Sequence, residues 1–136
     1  MLFKDYTYSV LIVSASEKFA ASIKAYLPEN EFGPVKLVKS AGEARRRLAD
    51  LDFDIVLINT PLADDFGTKL AHDVAVDTKS GVLMFVKADL YDEVTDRVID
   101  FGVFTISKPI SASMVHQVFK IMYAMQERFR SMEKKT

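Results

Sequence analysis

The chain has 136 residues, enough for one domain with a single core, and its 49% hydrophobic and 27% charged residues suit a folded soluble module rather than a disordered one. Cysteine is absent, which removes disulfides, thiolate metal ligands and cysteine nucleophiles together, and a net charge of −1 provides no global field for nucleic acid. No apolar run reaches the ~18 residues of a membrane span, and the opening Met-Leu-Phe-Lys-Asp-Tyr-Thr-Tyr lacks the basic and apolar regions of a secretory signal, so a cytoplasmic location is expected.

Residues 9–13 are an apolar, β-branched run that predicts a strand. Ser16 follows as a helix N-cap with Glu17 in the first turn, and Phe19, Ile23 and Leu27 then recur every four residues on one helical face. A second strand is predicted over 35–38. Ser40 is another N-cap candidate, opening a helix over 41–51 in which Ala44 and Leu48 share a face. The third strand is predicted over 55–58. Residues 68–75 form a helix with Leu70, Ala71 and Val74 on one stripe, and 82–86 make the fourth strand. Tyr91, Val94, Val98 and Phe101 mark a fourth helix that Gly102 ends at the C′ position. A fifth strand over 103–106 leads to a long final helix, because neither Gly nor Pro interrupts residues 111–136.

The first, third and fourth runs are apolar nearly throughout, the mark of strands covered on both faces in a parallel sheet. Five strands alternating with five helices predict right-handed βαβ units and an α/β fold: a flavodoxin-like, doubly wound five-stranded parallel sheet, order 2-1-3-4-5, with a long C-terminal helix. Such sheets bind ligands beyond the carboxyl ends of their strands. The segments there are Ser14-Ala15-Ser16, Asn59-Thr60-Pro61, Lys87-Ala88-Asp89 and Ser107-Lys108-Pro109.

Lys108-Pro109 after the fifth strand, Asn59-Thr60-Pro61 after the third and the Phe101-Gly102 turn carry a resemblance. Over residues 8–124 the chain resembles the CheY-like receiver domain of two-component response regulators. That resemblance implies an acidic pair holding Mg²⁺ after strand 1, a phosphoryl-accepting aspartate after strand 3, a hydroxyl residue ending strand 4 and a lysine after strand 5. This sequence has Ser14 and Ala15, then Asn59, then Val86 or Lys87; only Lys108 matches. Phosphoryl transfer needs an oxyanion nucleophile and cations to neutralise the transferred group. Asn59 is an amide, and Ser14 with Ala15 offers no negative charge to a hard dication. The pocket of Ser14, Ala15, Asn59, Val86, Lys87 and Lys108 is therefore expected to be the vestige of a phosphorylation site. No catalytic residue, metal or cofactor is expected, and Lys108 should bond Asn59 or loop carbonyls.

Other candidates are weaker. Asp64 and Asp65 suit an Asx turn or an N-cap for the following helix. His72 and His116 have no metal-ligand spacing, and no glycine-rich phosphate loop occurs. Arg45, Arg46 and Arg47 fan over roughly 200° of helix and read as a solvated face. Two alternatives stay open. A displaced carboxylate (Asp54, Asp64 or Asp65) could accept phosphate, although Asp54 lies about 15 Å from the carboxyl end of its strand. A small ligand could also bind around Asn59 and Lys108.

In the final helix Val115, Val118, Met122, Met125, Phe129 and Met132 are spaced 3, 4, 3, 4, 3, a heptad seam. Residues 1–124 are expected to form the receiver-like domain. Residues 125–136 then extend the helix as a linker or coiled-coil start, with nothing in the domain to pack on and a homodimer as the outcome. Methionine at three seam positions predicts weak, adaptable pairing. The segment 59–67, Val86-Lys87-Ala88 and the run into a long helix are similar to the receiver half of ANTAR-type antiterminator response regulators. This implies control of an output domain or regulatory protein in transcription antitermination, with RNA contacted only through a domain not in this sequence.

Overall fold

The structure, a computed structural model, describes residues 6–134. Five parallel strands, β1 (Tyr8–Ser14), β2 (Phe32–Val38), β3 (Ile55–Asn59), β4 (Gly81–Lys87) and β5 (Phe104–Lys108), form one sheet in the order β2-β1-β3-β4-β5. The helices are α1 (Glu17–Tyr26), α2 (Ala41–Asp50), α3 (Thr68–Asp77), α4 (Tyr91–Val98) and α5 (Ala112–Lys134). This is the fold expected from the sequence. The fifth strand starts one residue later than expected and runs on to Lys108, because its ladder with β4 extends from Leu83↔Phe104 to Lys87↔Lys108.

Strand alternation divides the core between two layers. Leu11, Val13, Val56, Ile58, Met84 and Val86 face α2, α3 and α4, where Ala44, Ala71, Val74 and Val98 cover them. Val10, Ile12, Leu57, Leu83, Phe85 and Ile106 face α1 and α5, where Ile23, Val115, Phe119 and Met122 do the same. Every residue of β3 is buried, which accounts for the unbroken apolar run from Ile55 to Ile58.

Local chemistry sets the helix ends. Ser16 Oγ accepts from the Phe19 amide at 3.1 Å and Ser40 Oγ from the Glu43 amide at 3.1 Å, both N-caps as read from sequence. After α4 a single 3₁₀ turn, Ile99–Phe101, ends at Gly102, whose φ of 79° suits glycine.

Helix α5 corrects one expectation. Past residue 124 it stays in contact with the domain: Gln126 Nε2 donates to the Asp54 carbonyl at 3.3 Å, the Tyr8 hydroxyl donates to Glu127, and Arg130 lies 4.0 Å from the Tyr6 ring centroid. Tyr6, Tyr8 and the Asp54 backbone, at the amino end of the sheet, reach the helix where the sequence reading expects nothing in the domain for it to pack on.

Candidate functional site

Register brings the expected segments together at the carboxyl end of the sheet: Ser14 pairs with Asn59 across β1 and β3, and Lys87 with Lys108 across β4 and β5. Ser14 and Asn59 are buried. Asn59 Nδ2 donates to Ser14 Oγ at 3.1 Å, and Asn59 Oδ1 accepts from Lys108 Nζ at 2.8 Å. Lys108 Nζ also donates to the Thr60 carbonyl at 2.6 Å and lies 5.7 Å from the Phe19 ring centroid. Ser14 Oγ donates in turn to the Ser16 carbonyl at 2.8 Å and accepts from its amide at 3.1 Å. Thr60 is fixed from below, its hydroxyl donating to the Phe85 carbonyl at 2.8 Å.

Ser14, Asn59 and Lys108 thus form one chain of hydrogen bonds, while Ala15 stands exposed beside it. Val86 does not join them, because it is fully buried in the core layer under α3 and α4. Lys87 is exposed and sits next to Lys108 on the ladder. Burial, and then the charge of Lys87, hold the Lys108 ammonium below its ordinary lysine pKa. Neither lysine is in an ion pair among the described residues.

Asp64 does something the sequence did not reveal. Its carboxylate accepts from the Ala41 amide at 2.8 Å and the Gly42 amide at 2.9 Å, so it caps α2 rather than the helix that follows it. These bonds, that from Gly42 first, hold its pKa below the usual carboxylate value. The loop folds back on itself through a 2.8 Å bond from the Leu62 amide to the Asp65 carbonyl. Helix α3 begins instead at Gly67, with φ of 116° and no side-chain cap; a Cβ there would lie 3.1 Å from Ile58 Cγ2. Asp54 accepts from the Ser9 amide at 2.9 Å at the opposite end of the sheet.

Arg45, Arg46 and Arg47 are all exposed, and Arg45 pairs with Asp73 at 3.0 Å. Hydrogen bonds from His72 and Arg45 lower the Asp73 pKa to about 2. No group of three or more potential metal ligands occurs among the described residues. A cleft of about 500 Å³ lies between the loop after β3 and α4, with Phe66, Leu90 and Val94 among its lining and Lys69, Glu93 and Arg97 beside them. Asn59 and Lys108 are not part of it.

Helix α5 presents two adjacent apolar faces, and the heptad seam read from sequence straddles them. Val115, Phe119 and Met122 are buried against the sheet, with Val118 half-buried. Met114, Ile121, Met125, Phe129 and Met132 are exposed and, with Val118, form a stripe spaced 4, 3, 4, 4, 3. Met125, Arg128, Phe129 and Met132 surround a concavity of about 280 Å³. Their i, i+3, i+4, i+7 spacing is that of the hole that receives a knob from a facing helix.

No protein-family model matches this sequence, and no curated protein does. Solved structures do match. The CheY-like response regulator receiver domain protein from Methanospirillum hungatei JF-1 is 22% identical, with a TM-score of 0.78 over 90% of this chain and 98% of that one. The signal receiver domain of an HD domain-containing protein from Pseudomonas fluorescens Pf-5 is 17% identical, with a TM-score of 0.78 over 96% and 98%. The beryllofluoride-activated NtrC4 receiver domain dimer is 19% identical, with a TM-score of 0.74 over 86% and 97%. No described helix is long and apolar enough to cross a membrane. At these identities the likeness is one of fold, and the fold of this chain is that of the response regulator receiver domains.

Proposed function

We propose that this chain is a receiver-type signalling module without phosphoryl-transfer chemistry, acting by pairing through α5 to regulate an output domain. The observation that carries this reading is the Ser14–Asn59–Lys108 network. The lysine that pairs with a phosphoryl group in the resembled family is here engaged by a neutral amide and a backbone carbonyl. No carboxylate belongs to the network, so it offers neither a seat for a dication nor a nucleophilic oxyanion. The displaced-carboxylate alternative is weakened because Asp54 and Asp64 are already bonded to backbone amides. The small-ligand alternative gains nothing from the cleft, which lies away from Asn59 and Lys108.

Pairing is supported by the exposed stripe, by its knob-accepting hole and by the dimeric state of the NtrC4 receiver domain to which the fold is similar. The partner is a second copy of this chain, since one stripe supplies both knobs and holes. From the resemblance to antiterminator-type regulators, the output is an RNA-binding helical bundle outside this sequence, and none of these residues is assigned to RNA. The module is cytoplasmic and has no catalytic residue.

Phosphotransfer tests the reading. Acetyl phosphate or beryllofluoride with Mg²⁺ should leave the intact mass and the amide spectrum around Asn59 and Lys108 unchanged. Asn59→Asp should also stay unreactive, because Ser14 and Ala15 still provide no metal seat. A stoichiometric phosphoryl adduct on the wild type overturns the proposal.

A further inference from the structure

With cysteine absent, methionine is the sole sulfur-bearing residue type in this chain. Among the described methionines, Met84 and Met122 are 0% and 3% exposed, whereas Met114, Met125 and Met132 are 50%, 42% and 65% exposed. The exposed three are separated by 11 and 7 residues on α5, close to three and two whole helical turns, so their thioethers fall in one line. That line runs along the stripe assigned above to pairing. Exposed sulfur is therefore confined, within residues 6–134, to one face of one helix.

We propose that Met114, Met125 and Met132 are a methionine-oxidation site that controls α5 pairing, an inference that rests on the pairing reading. The oxidant is a hydroperoxide. The thioether sulfur attacks the terminal peroxide oxygen, an S–O bond forms as the O–O bond breaks, sulfur is oxidised by two electrons to the sulfoxide, and the alcohol of the hydroperoxide (water, where the oxidant is hydrogen peroxide) leaves after proton transfer. Reversal takes two electrons and two protons from a dithiol, through a sulfoxide reductase, and releases water and a disulfide.

The physical consequence follows from polarity. A sulfoxide oxygen is a strong hydrogen-bond acceptor, and burying it without a donor is costly. Of the four residues around the concavity, Arg128 alone carries a side-chain donor. The Met125 and Met132 sulfoxides on each of two facing stripes would thus be left largely unsatisfied. Met84 and Met122 lie within the two core layers, so the fold itself is shielded. Pairing covers the thioethers, so oxidation proceeds through the dissociated chain and holds it as a monomer.

The test is peroxide treatment of the wild-type chain, followed by peptide mass mapping and sedimentation equilibrium. Sulfoxides are expected at Met114, Met125 and Met132 well before Met84 or Met122, and Met1, outside the described residues, is set apart by its own peptide. The dissociation constant should rise at least about thirtyfold, with the circular dichroism unchanged and pairing restored by a sulfoxide reductase with dithiol. The Met114→Leu, Met125→Leu, Met132→Leu triple variant has no thioether on the stripe, so its dissociation constant, whatever its untreated value, should not change with peroxide. Full oxidation of the three sites with a dissociation constant within about twofold of untreated protein overturns the inference. So does a triple variant that loses pairing to peroxide as readily as the wild type does. An untreated wild type that stays monomeric at about 100 μM sinks the pairing reading and this inference with it; a dimer indifferent to three sulfoxides sinks the inference alone.

Discussion

The Asp64 carboxylate accepts two of the amides that open α2, and those bonds exist in full strength only while it is ionised. Its folded pKa is therefore below the unfolded value of 3.8, and its stabilisation is present above that value and lost as pH falls through the folded one. Asp64→Ala should lower the melting temperature near pH 7, and the gap to wild type should narrow progressively as the pH falls below 3.8, as thermal melts across that range would show. Lys108 has the opposite linkage. Burial and Lys87 depress its pKa, so holding it charged in the folded state opposes folding, and this opposition fades as pH rises from the folded pKa toward 10.5. Its hydrogen bonds act the other way: Lys108→Ala leaves the Asn59 and Thr60 oxygens without their donor, at a cost of about 1–2 kcal/mol in denaturant melts. A loss above about 3 kcal/mol would make this network a principal anchor of the fold. Lys87→Ala should raise the Lys108 titration midpoint, measured by NMR at Nζ, and no change would show that the two charges do not interact.

Within the secondary elements, legibility followed locality. The N-caps of α1 and α2 and the stop at Gly102 each depend on residues within one turn, so the sequence displays them. The cap that Asp64 provides crosses 23 residues of chain, and no local pattern announces it. The same limit explains the seam on α5. Val115, Phe119 and Met122 make a plausible face, and so do Met114, Val118, Ile121 and Met125; periodicity alone does not say which one meets the sheet. Contacts from elsewhere decide it: Tyr8 to Glu127, Gln126 to the Asp54 carbonyl and Phe119 beside Phe32 turn the first face inward. The site segments were legible because parallel strands end together, but the exclusion of Val86 from the site needed the register of β4. Single substitutions separate the two faces. Val115→Ala, at a fully buried position, should cost the monomer about 2 kcal/mol in urea melts. Ile121→Ala, on the exposed stripe, should cost it less than about 0.5 kcal/mol. Equal losses at the two positions would mean that the stripe is part of the monomer's core.

For the molecule as a whole, the strength of pairing can be bounded from the stripe itself. From Met114 to Met132 it runs about 27 Å along the helix at 1.5 Å per residue. Two such stripes facing each other fall among small interfaces, below roughly 1,200 Å² in total, which are weak and reversible. Three methionines lower the pairing further through their conformational freedom, whereas Phe129 adds a rigid aromatic at the rim of the hole. A dissociation constant on the order of 10 μM follows, and sedimentation equilibrium of the wild type at about 100 μM should show mostly dimer. Phe129→Ala should weaken association about thirtyfold, equivalent to about 2 kcal/mol, and leave a largely monomeric protein at that concentration. Its melting temperature, measured where both proteins are monomeric, should be unchanged, because Phe129 is exposed and belongs to neither core layer. Val115→Ala provides the complementary outcome: a less stable domain that still pairs while folded. If Phe129→Ala instead dimerises as well as the wild type does, the contact lies elsewhere on the surface, and the stripe on α5 has no part in it.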